Sequence, residues 1–311
     1  MSKSMMWLST LLLICAYWTT VQIVLENINL MDTSRIRSNE SDNLVFCTMV
    51  RDMAPYVAEW VSFHTQMGVS HFYIYDDLST DSLQQVLRPW VDKGQATVIP
   101  MTSDTELSQC YQDKHLIHPQ NTCQKAAFQH CVTRQPHGAK WAALVDVDEF
   151  FFSHPDLNVS LPETLRRLQT PQWAGIILQP FVFGTSGLLR MPANGSVLKT
   201  HLYREADGEP PSCHGDETCL MFIATKEFVH TWHFLWAGIH THHYWADMLL
   251  SGFRNARTMP KMNGAIRFHH YRYLSVEDNH RKALTYQSPY YWLFNNSKYA
   301  FFDDTLAHVL Q

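Results

Sequence analysis

Between Leu44 and Pro100 the spacing of apolar residues switches back and forth between two periods, and this alternation restricts the chain more than any other feature. LVFCTM (Leu44 to Met49) is a continuous apolar run of strand length. Ala54 to Met67 instead places Val57, Trp60, Val61, His64 and Met67 at helical spacing, with Gly68 as a stop. HFYIY (His71 to Tyr75) reads as a second buried strand, Asp81 to Trp90 as a second helix and QATVIP as a third strand. Strand, helix, strand, helix, strand is the pattern of an open, doubly wound α/β sheet. A helix is then expected from about Thr122 to Arg134, followed by the strand WAALV, which runs straight into Asp146-Val-Asp148-Glu149. Beyond Phe152 the pattern loosens, with a helix expected at Leu161 to Leu168 and a strand at Gly175 to Phe183 before a stretch rich in His and Trp.

Ligands of open α/β sheets collect beyond the carboxyl ends of the strands, so acidic residues at that boundary stand at the mouth of a site. Alternate residues leaving a strand can turn toward one cation, and hard oxygen ligands suit Mg²⁺ or Mn²⁺ bound jointly with a diphosphate. The apolar blocks WAALV and FFF enclose three carboxylates, Asp146, Asp148 and Glu149, whose repulsion a cation or solvent must offset. A solvated turn is the competing reading of any D-x-D. Asp52 after the first strand, and Asp76 and Asp77 after the second, also fall at strand ends. A carboxylate there can accept the imide N–H of a uracil, while Ser79, Thr80 and Asp81 equally suit the start of a helix.

The N-terminal end indicates a compartment. Residues 5–25 carry no charge and only Gln22 as a strongly polar side chain, the length of a membrane-crossing helix. A short tail (1–4), a transmembrane signal-anchor (5–25), a polar stem (26–43) and a catalytic domain (44–311) are therefore expected. A cleaved signal peptide is the rival reading, disfavoured because the run continues past Tyr17 with no small-x-small site after it. Cys15 lies inside that run and leaves six others, Cys47, Cys110, Cys123, Cys131, Cys213 and Cys219, an even number that suits an oxidising lumen without fixing the pairing. Sequons at Asn39, Asn158, Asn194 and Asn295 agree with the secretory pathway, with the Golgi as the first expectation. Lys and Arg number 24 against 29 Asp and Glu, a formal net charge of −5, which argues against nucleic acid as a partner.

VRDMAPYVAEWVSFHTQMGVSHFYIYDDLSTD, QKAAFQHC, WAALVDVDEFFF, FVFG and HYRYLSVEDNHRK, taken in this order over about residues 44 to 285, resemble the family 92 glycosyltransferases, which have the GT-A fold. The resemblance implies a Rossmann-like mixed sheet flanked by helices, and a sugar-nucleotide enzyme in which Asp146 and Asp148 form the metal-diphosphate motif. It further implies Asp52 and Asp77 near the nucleoside, Glu149 beside the metal, and galactose transfer from UDP-galactose with Mn²⁺ and inversion at the anomeric carbon.

A late His often reaches the metal in GT-A enzymes, and His270 in HYR matches that position, with the adjacent His269 as the fallback. Arg272 and Lys282 are candidates to neutralise diphosphate oxygens. Gln124 and Lys125 either face the diphosphate or cap their helix. An inverting transferase needs a base for the acceptor hydroxyl. Asp216, Glu217, Glu227 and Asp247 are candidates that no spacing separates. The expected partners are a UDP-sugar donor, a glycan acceptor and the membrane. The alternatives are a catalytically silent GT-A-fold protein that binds glycans or a secretory partner through the Trp-rich stretch, and a transition-metal protein using its many His.

Overall fold

The computed structural model describes residues 43–103, 105–112, 119–134, 138–168, 173–192, 195–206, 225–231, 233–238, 242–244, 256–258, 264–286 and 299–310. The chain divides into two units, Met1–Ser41 and Asp42–Gln311, and the first lies outside the described residues, as do the expected membrane anchor and most of the stem. Among the described residues no helix is long and apolar enough to cross a membrane.

The first half follows the alternation of the sequence. Strand β1 (Leu44–Val50), helix α1 (Ala54–Gln66), β2 (His71–Asp76), helix α2 (Leu83–Val91) and β3 (Ala96–Pro100) lead to helix α3 (Pro119–Arg134) and β4 (Trp141–Leu144). β1, β2 and β4 are buried almost throughout, the signature of parallel strands covered on both faces. Helix α1 turns Val57, Trp60, Val61 and His64 into the core. It ends before Gly68, whose φ of +90° and approach to Ser160, 2.8 Å from where a Cβ would stand, both require glycine.

Later strands complete the sheets: β5 (Glu149–Ser153), β6 (Gly175–Leu178), β7 (Pro180–Val182), β8 (Tyr203–Arg204), β9 (Lys226–His230), β10 (Phe234–Trp236), β11 (His243–Tyr244), β12 (Ala256–Thr258), β13 (Ile266–His270) and β14 (Phe301–Phe302). Helix α4 (Leu161–Leu168) follows β5, and helix α5 (Val276–Tyr286) follows β13. The seven-stranded central sheet has the order β12-β6-β9-β4-β1-β2-β3, with β1 parallel to both β2 and β4 and with β9 antiparallel to its neighbours β4 and β6. The order reverses at β1, so the loops after β1, β2 and β4 leave one edge side by side, at the switch point where such sheets bind ligands.

A three-stranded sheet, β5-β13-β7, stands beside the first. The single strand expected at Gly175 to Phe183 is in fact two, β6 in the central sheet and β7 in the small one, separated at Gln179. Pro180 has no N–H with which to extend the first ladder, and the chain crosses there. β4 and β5 make the same crossing through residues 145–148. Alternation along β1 sends Phe46 into an aromatic core with Trp60, Phe72 and Phe151, and sends Val45 and Cys47 to the opposite face, with Phe128 and Cys131 of α3. Disulfides join Cys47 to Cys131 and Cys110 to Cys123; Cys213 and Cys219 lie outside the described residues.

His64 joins α1 to the small sheet. Its Nδ1–H donates to the Trp60 carbonyl at 2.9 Å, and its Nε2 accepts the Phe151 N–H at 3.0 Å, an arrangement open only to the neutral ring. Burial lowers its pKa from 6.5 to about 3, and the same cause brings His230 and His269 to about 3. Between these values the unfolded chain binds protons that the folded chain refuses. Stability must therefore fall as pH drops from 6.5 toward 3, by at most about 1.4 kcal/mol per pH unit for each such histidine. Urea unfolding at pH 7 and pH 5 is expected to show this loss. His64→Leu should reduce the slope while costing about 1–3 kcal/mol at pH 7 for the orphaned Phe151 N–H.

Candidate functional site

The crossing from β4 to β5 is a tight turn closed by the Glu149 N–H donating to the Asp146 carbonyl at 3.1 Å. The Glu149 carboxylate returns to accept the Asp146 N–H at 2.9 Å. The turn sends Asp146 and Asp148 to different partners. Asp146 accepts from Lys226 Nζ at 2.6 Å and from Gln124 Nε2 at 2.7 Å. Asp148 accepts from Lys282 Nζ at 2.8 Å and lies 3.6 Å from His270 Nε2.

His270 reaches this corner through backbone pairing. β13 runs antiparallel to β5 with His270 opposite Glu149, and the Tyr271 N–H donates to the Asp148 carbonyl at 2.8 Å. Alternation turns the adjacent His269 to the other face, among Phe152, Phe181 and Phe183. Glu149 is fixed from behind, because Trp60 Nε1 donates to its carbonyl at 2.8 Å.

Asp148, Glu149 and His270 each offer one ligand atom within a mutual 4.8 Å, and among the described residues no other group of three does so. Asp148 Oδ1, Glu149 Oε1 and His270 Nδ1 are buried without a hydrogen-bond partner. Buried polar atoms are seldom left so, and two carboxylate oxygens beside an imidazole nitrogen form a donor set that suits a divalent cation. Asp146 is not in this set; with 35% of its side chain exposed it is the outermost of the three acids.

The electrostatics fit a positive ligand. Burial pushes the Glu149 carboxyl well above its usual range; Lys226, 3.4 Å away, opposes this, while Asp146 and Asp148 add to it. Burial alone would depress the Lys226 ammonium, yet the charges of Asp146 and Glu149 outweigh it and raise the pKa. Burial, with Arg272 and Lys226 nearby, holds His270 well below 6.5, the neutral state that a metal requires.

The neighbouring strand ends hold the other expected residues. Arg51 pairs with the buried Asp77 through Nη2 at 2.8 Å, and Tyr111 Oη donates to the same carboxylate. Asp52, at φ 53°, accepts the Thr80 N–H at 2.7 Å and donates its own N–H to the Ser79 hydroxyl oxygen at 3.1 Å. Asp81 accepts the Ala54 N–H at 2.8 Å at the start of α1 and the Leu83 N–H at 3.1 Å at the start of α2, so part of this acidic loop does serve helix starts. Helix α5 spans the corner: Arg281 donates to the Asp52 carbonyl at 3.0 Å, one residue before Lys282 reaches Asp148. The Arg272 guanidinium is half-buried, 5.7 Å over the Tyr273 ring. Glu227 is buried and accepts the His242 N–H at 3.1 Å, while Asp216, Glu217 and Asp247 lie outside the described residues.

Lys226 is the site residue that the sequence did not disclose. It opens β9 next to Glu227, and nothing in KEFVH distinguishes a lysine buried under two carboxylates from a surface one. Gln124 was discernible only as one of two polar residues expected at a helix start; α3 in fact begins at Pro119, which places Gln124 inside the helix, facing Asp146.

The glycosyltransferase family 92 model matches residues 43–305. A family 92 glycosyltransferase protein of Ricinus communis is 28% identical over 163 residues, 52% of this chain and 27% of that protein. A galactan beta-1,4-galactosyltransferase of Arabidopsis thaliana, GALS2, is 24% identical over 151 residues, 45% of this chain and 27% of that one. The chain spans about a quarter of the length of these curated relatives. Among solved structures, S. aureus TarS in complex with UDP-GlcNAc aligns over 74% of this chain and 58% of its own, with 10% identity and a TM-score of 0.41.

Removing the buried ammonium should leave the acids uncompensated. Lys226→Met is expected to cost about 3–5 kcal/mol in urea unfolding at pH 7, and Lys226→Met with Glu149→Gln to recover part of that loss. Equal destabilisation in both variants would show that Lys226 does not serve to balance Glu149.

Proposed function

The chain belongs to glycosyltransferase family 92, and from that membership we propose that it is a metal-dependent GT-A glycosyltransferase that moves a hexose, galactose from UDP-galactose with inversion, onto a glycan hydroxyl. The observation that carries the reading is the set of three orphaned ligand atoms on Asp148, Glu149 and His270, buried at the switch-point edge of the sheet. Galactose as the sugar draws on the likeness to the Arabidopsis galactan galactosyltransferase and on the family resemblance.

In this reading Asp148, Glu149 and His270 hold Mn²⁺ or Mg²⁺, with Asp146 at the outer side. Such a cation, when bound, stabilises negative charge on the departing nucleoside diphosphate. Lys226 and Lys282 already offset carboxylate charge at the corner, and a divalent cation would add two positive charges there, a sign suited to a diphosphate. Lys282, directed at Asp148 and 3.3 Å from the Arg272 carbonyl, and the Arg272 guanidinium neutralise diphosphate oxygens. Asp52 and Asp77 border the nucleoside from the loops after β1 and β2. Asp216, Glu217 and Asp247 remain the candidates for the base that takes the acceptor proton. The apolar run at 5–25, the sequons and the two disulfides support a type II membrane protein with its catalytic domain in the Golgi lumen.

One observation favours a silent glycan- or partner-binding protein on the same fold: Lys226 and Lys282 already neutralise Asp146 and Asp148. Donor turnover separates the two readings. The protein is incubated with a panel of UDP- and GDP-sugars and Mn²⁺, and release of the nucleoside diphosphate is followed. UDP-galactose is expected to turn over, EDTA to stop the reaction, and Asp148→Ala to slow it by about 10²-fold or more. Equal UDP release by Asp148→Ala and the parent protein would overturn the mechanism, and UDP affinity that is the same with and without Mn²⁺, measured by calorimetry, would favour the silent reading.

A further inference from the structure

Two contacts to the acidic strand ends come from residues next to a single disulfide. Cys110, in the one-turn 3₁₀ helix Gln109–Tyr111, is joined to Cys123 of α3 with their Cα atoms 5.0 Å apart. Tyr111, the residue after Cys110, donates its hydroxyl to the Asp77 carboxylate. Gln124, the residue after Cys123, donates its amide to Asp146 Oδ1 at 2.7 Å. Asp77 and Asp146 belong to different loops, after β2 and after β4, so the cross-link couples both of these acids through its immediate neighbours.

The segment that carries Tyr111 is short and shares one apolar cluster with α3 through Leu107, Cys110 and Phe128. Among the described residues it consists of the single turn Thr105–Ser108 and the 3₁₀ turn, with Leu107 and Cys110 buried. The Arg134–Glu106 ion pair at 3.0 Å is exposed on both sides, a type of contact that fixes a position weakly. Helix α3 is already fastened to β1 by the Cys47–Cys131 disulfide, so Cys110–Cys123 has a firm base from which to hold the shorter segment.

We propose that the Cys110–Cys123 disulfide is a positioning cross-link of the donor site, holding Tyr111 on Asp77 and Gln124 on Asp146 so that the two carboxylates keep one spacing for a nucleoside diphosphate. The proposal rests on the reading that these strand ends face the donor. It assigns Tyr111 and Gln124 as positioning residues, which act on the nucleotide through the acids they hold.

The test uses UDP with Mn²⁺ as the probe, titrated calorimetrically into the parent protein, Cys110→Ala/Cys123→Ala, Tyr111→Phe/Gln124→Ala and the fourfold combination, with thermal unfolding recorded for each. Either pair of substitutions is expected to weaken UDP binding about tenfold, the scale of a lost hydrogen bond to a charged group. The fourfold variant should bind little worse than either pair, because the disulfide acts through those two side chains. Gln124→Glu, which replaces a donor by a fourth carboxylate at this corner, should weaken binding further than Gln124→Ala. Parent-like affinity in Tyr111→Phe/Gln124→Ala, which keeps the disulfide and does not depend on the cysteine variant folding, overturns the positioning role alone. Multiplicative losses in the fourfold variant overturn it too, since they make the disulfide and the two side chains independent. A parent protein that binds no UDP overturns the donor-site reading and the positioning role together.

Discussion

A lysine ammonium buried against two acids is the interaction on which the strand-end corner depends. Lys226 contacts both Asp146 and Glu149 from the start of β9, the strand held antiparallel between β4 and β6. Three carboxylates within one turn, two of them buried, repel strongly, and a mobile surface cation could not be relied on to offset them. Sheet pairing places this cation instead, opposite Leu178 at the end of a ladder. Once Asp146 is satisfied by Lys226 and Gln124, the oxygens left over are those of Asp148 and Glu149 that face His270. The same lysine that makes the acids tolerable thus determines which of them remain available to a ligand.

Apolar packing does the rest of the positioning. Phe150, Phe151 and Phe152 follow the acids directly and are buried, Phe151 stacking on Phe268 at 4.6 Å and Phe150 meeting Tyr271 edge-on. These contacts hold β5 against β13, and the ladder then brings His270 opposite Glu149. Helix α1 supports the pair from beneath through Trp60 and His64, which bind the Glu149 carbonyl and the Phe151 N–H. Polar ligand atoms are therefore carried on a framework whose stability comes mostly from aromatic burial, which allows the polar atoms themselves to remain unsatisfied.

What was readable in the sequence was whatever is encoded locally. The alternation over residues 44–100 gave β1 to β3 and their helices, because strand and helix periods appear within a few residues of each other. The acidic edge after β4 was readable for the same reason, and the match of the family model over residues 43–305 agrees with the motifs quoted from the sequence. The division of Gly175 to Phe183 between two sheets was hidden, since an apolar run does not state which ladder each half joins. An even count of cysteines suggested pairing, but that Cys47 finds Cys131 depends on α3 lying across β1, a tertiary fact. Lys226 was invisible because burial of a lysine depends on acids 77 and 80 positions away.

The partners of Asp146 and Asp148 show where a spacing argument ends. Two carboxylates separated by one residue face the same way if the backbone stays extended, but here the chain leaves β4 at Leu144 and turns between Asp146 and Glu149. The turn is closed by Glu149 itself, whose N–H binds the Asp146 carbonyl and whose carboxylate binds the Asp146 N–H. Glu149 is at once the first residue of β5, the closure of the turn and a member of the three-residue ligand set. A D-x-D followed by Glu is therefore a different structural statement from D-x-D alone: the third acid rotates the first away toward Lys226 and leaves the second facing His270. The direction of each carboxylate is decided by backbone hydrogen bonding within the turn, and the chemistry at the sheet edge inherits that decision.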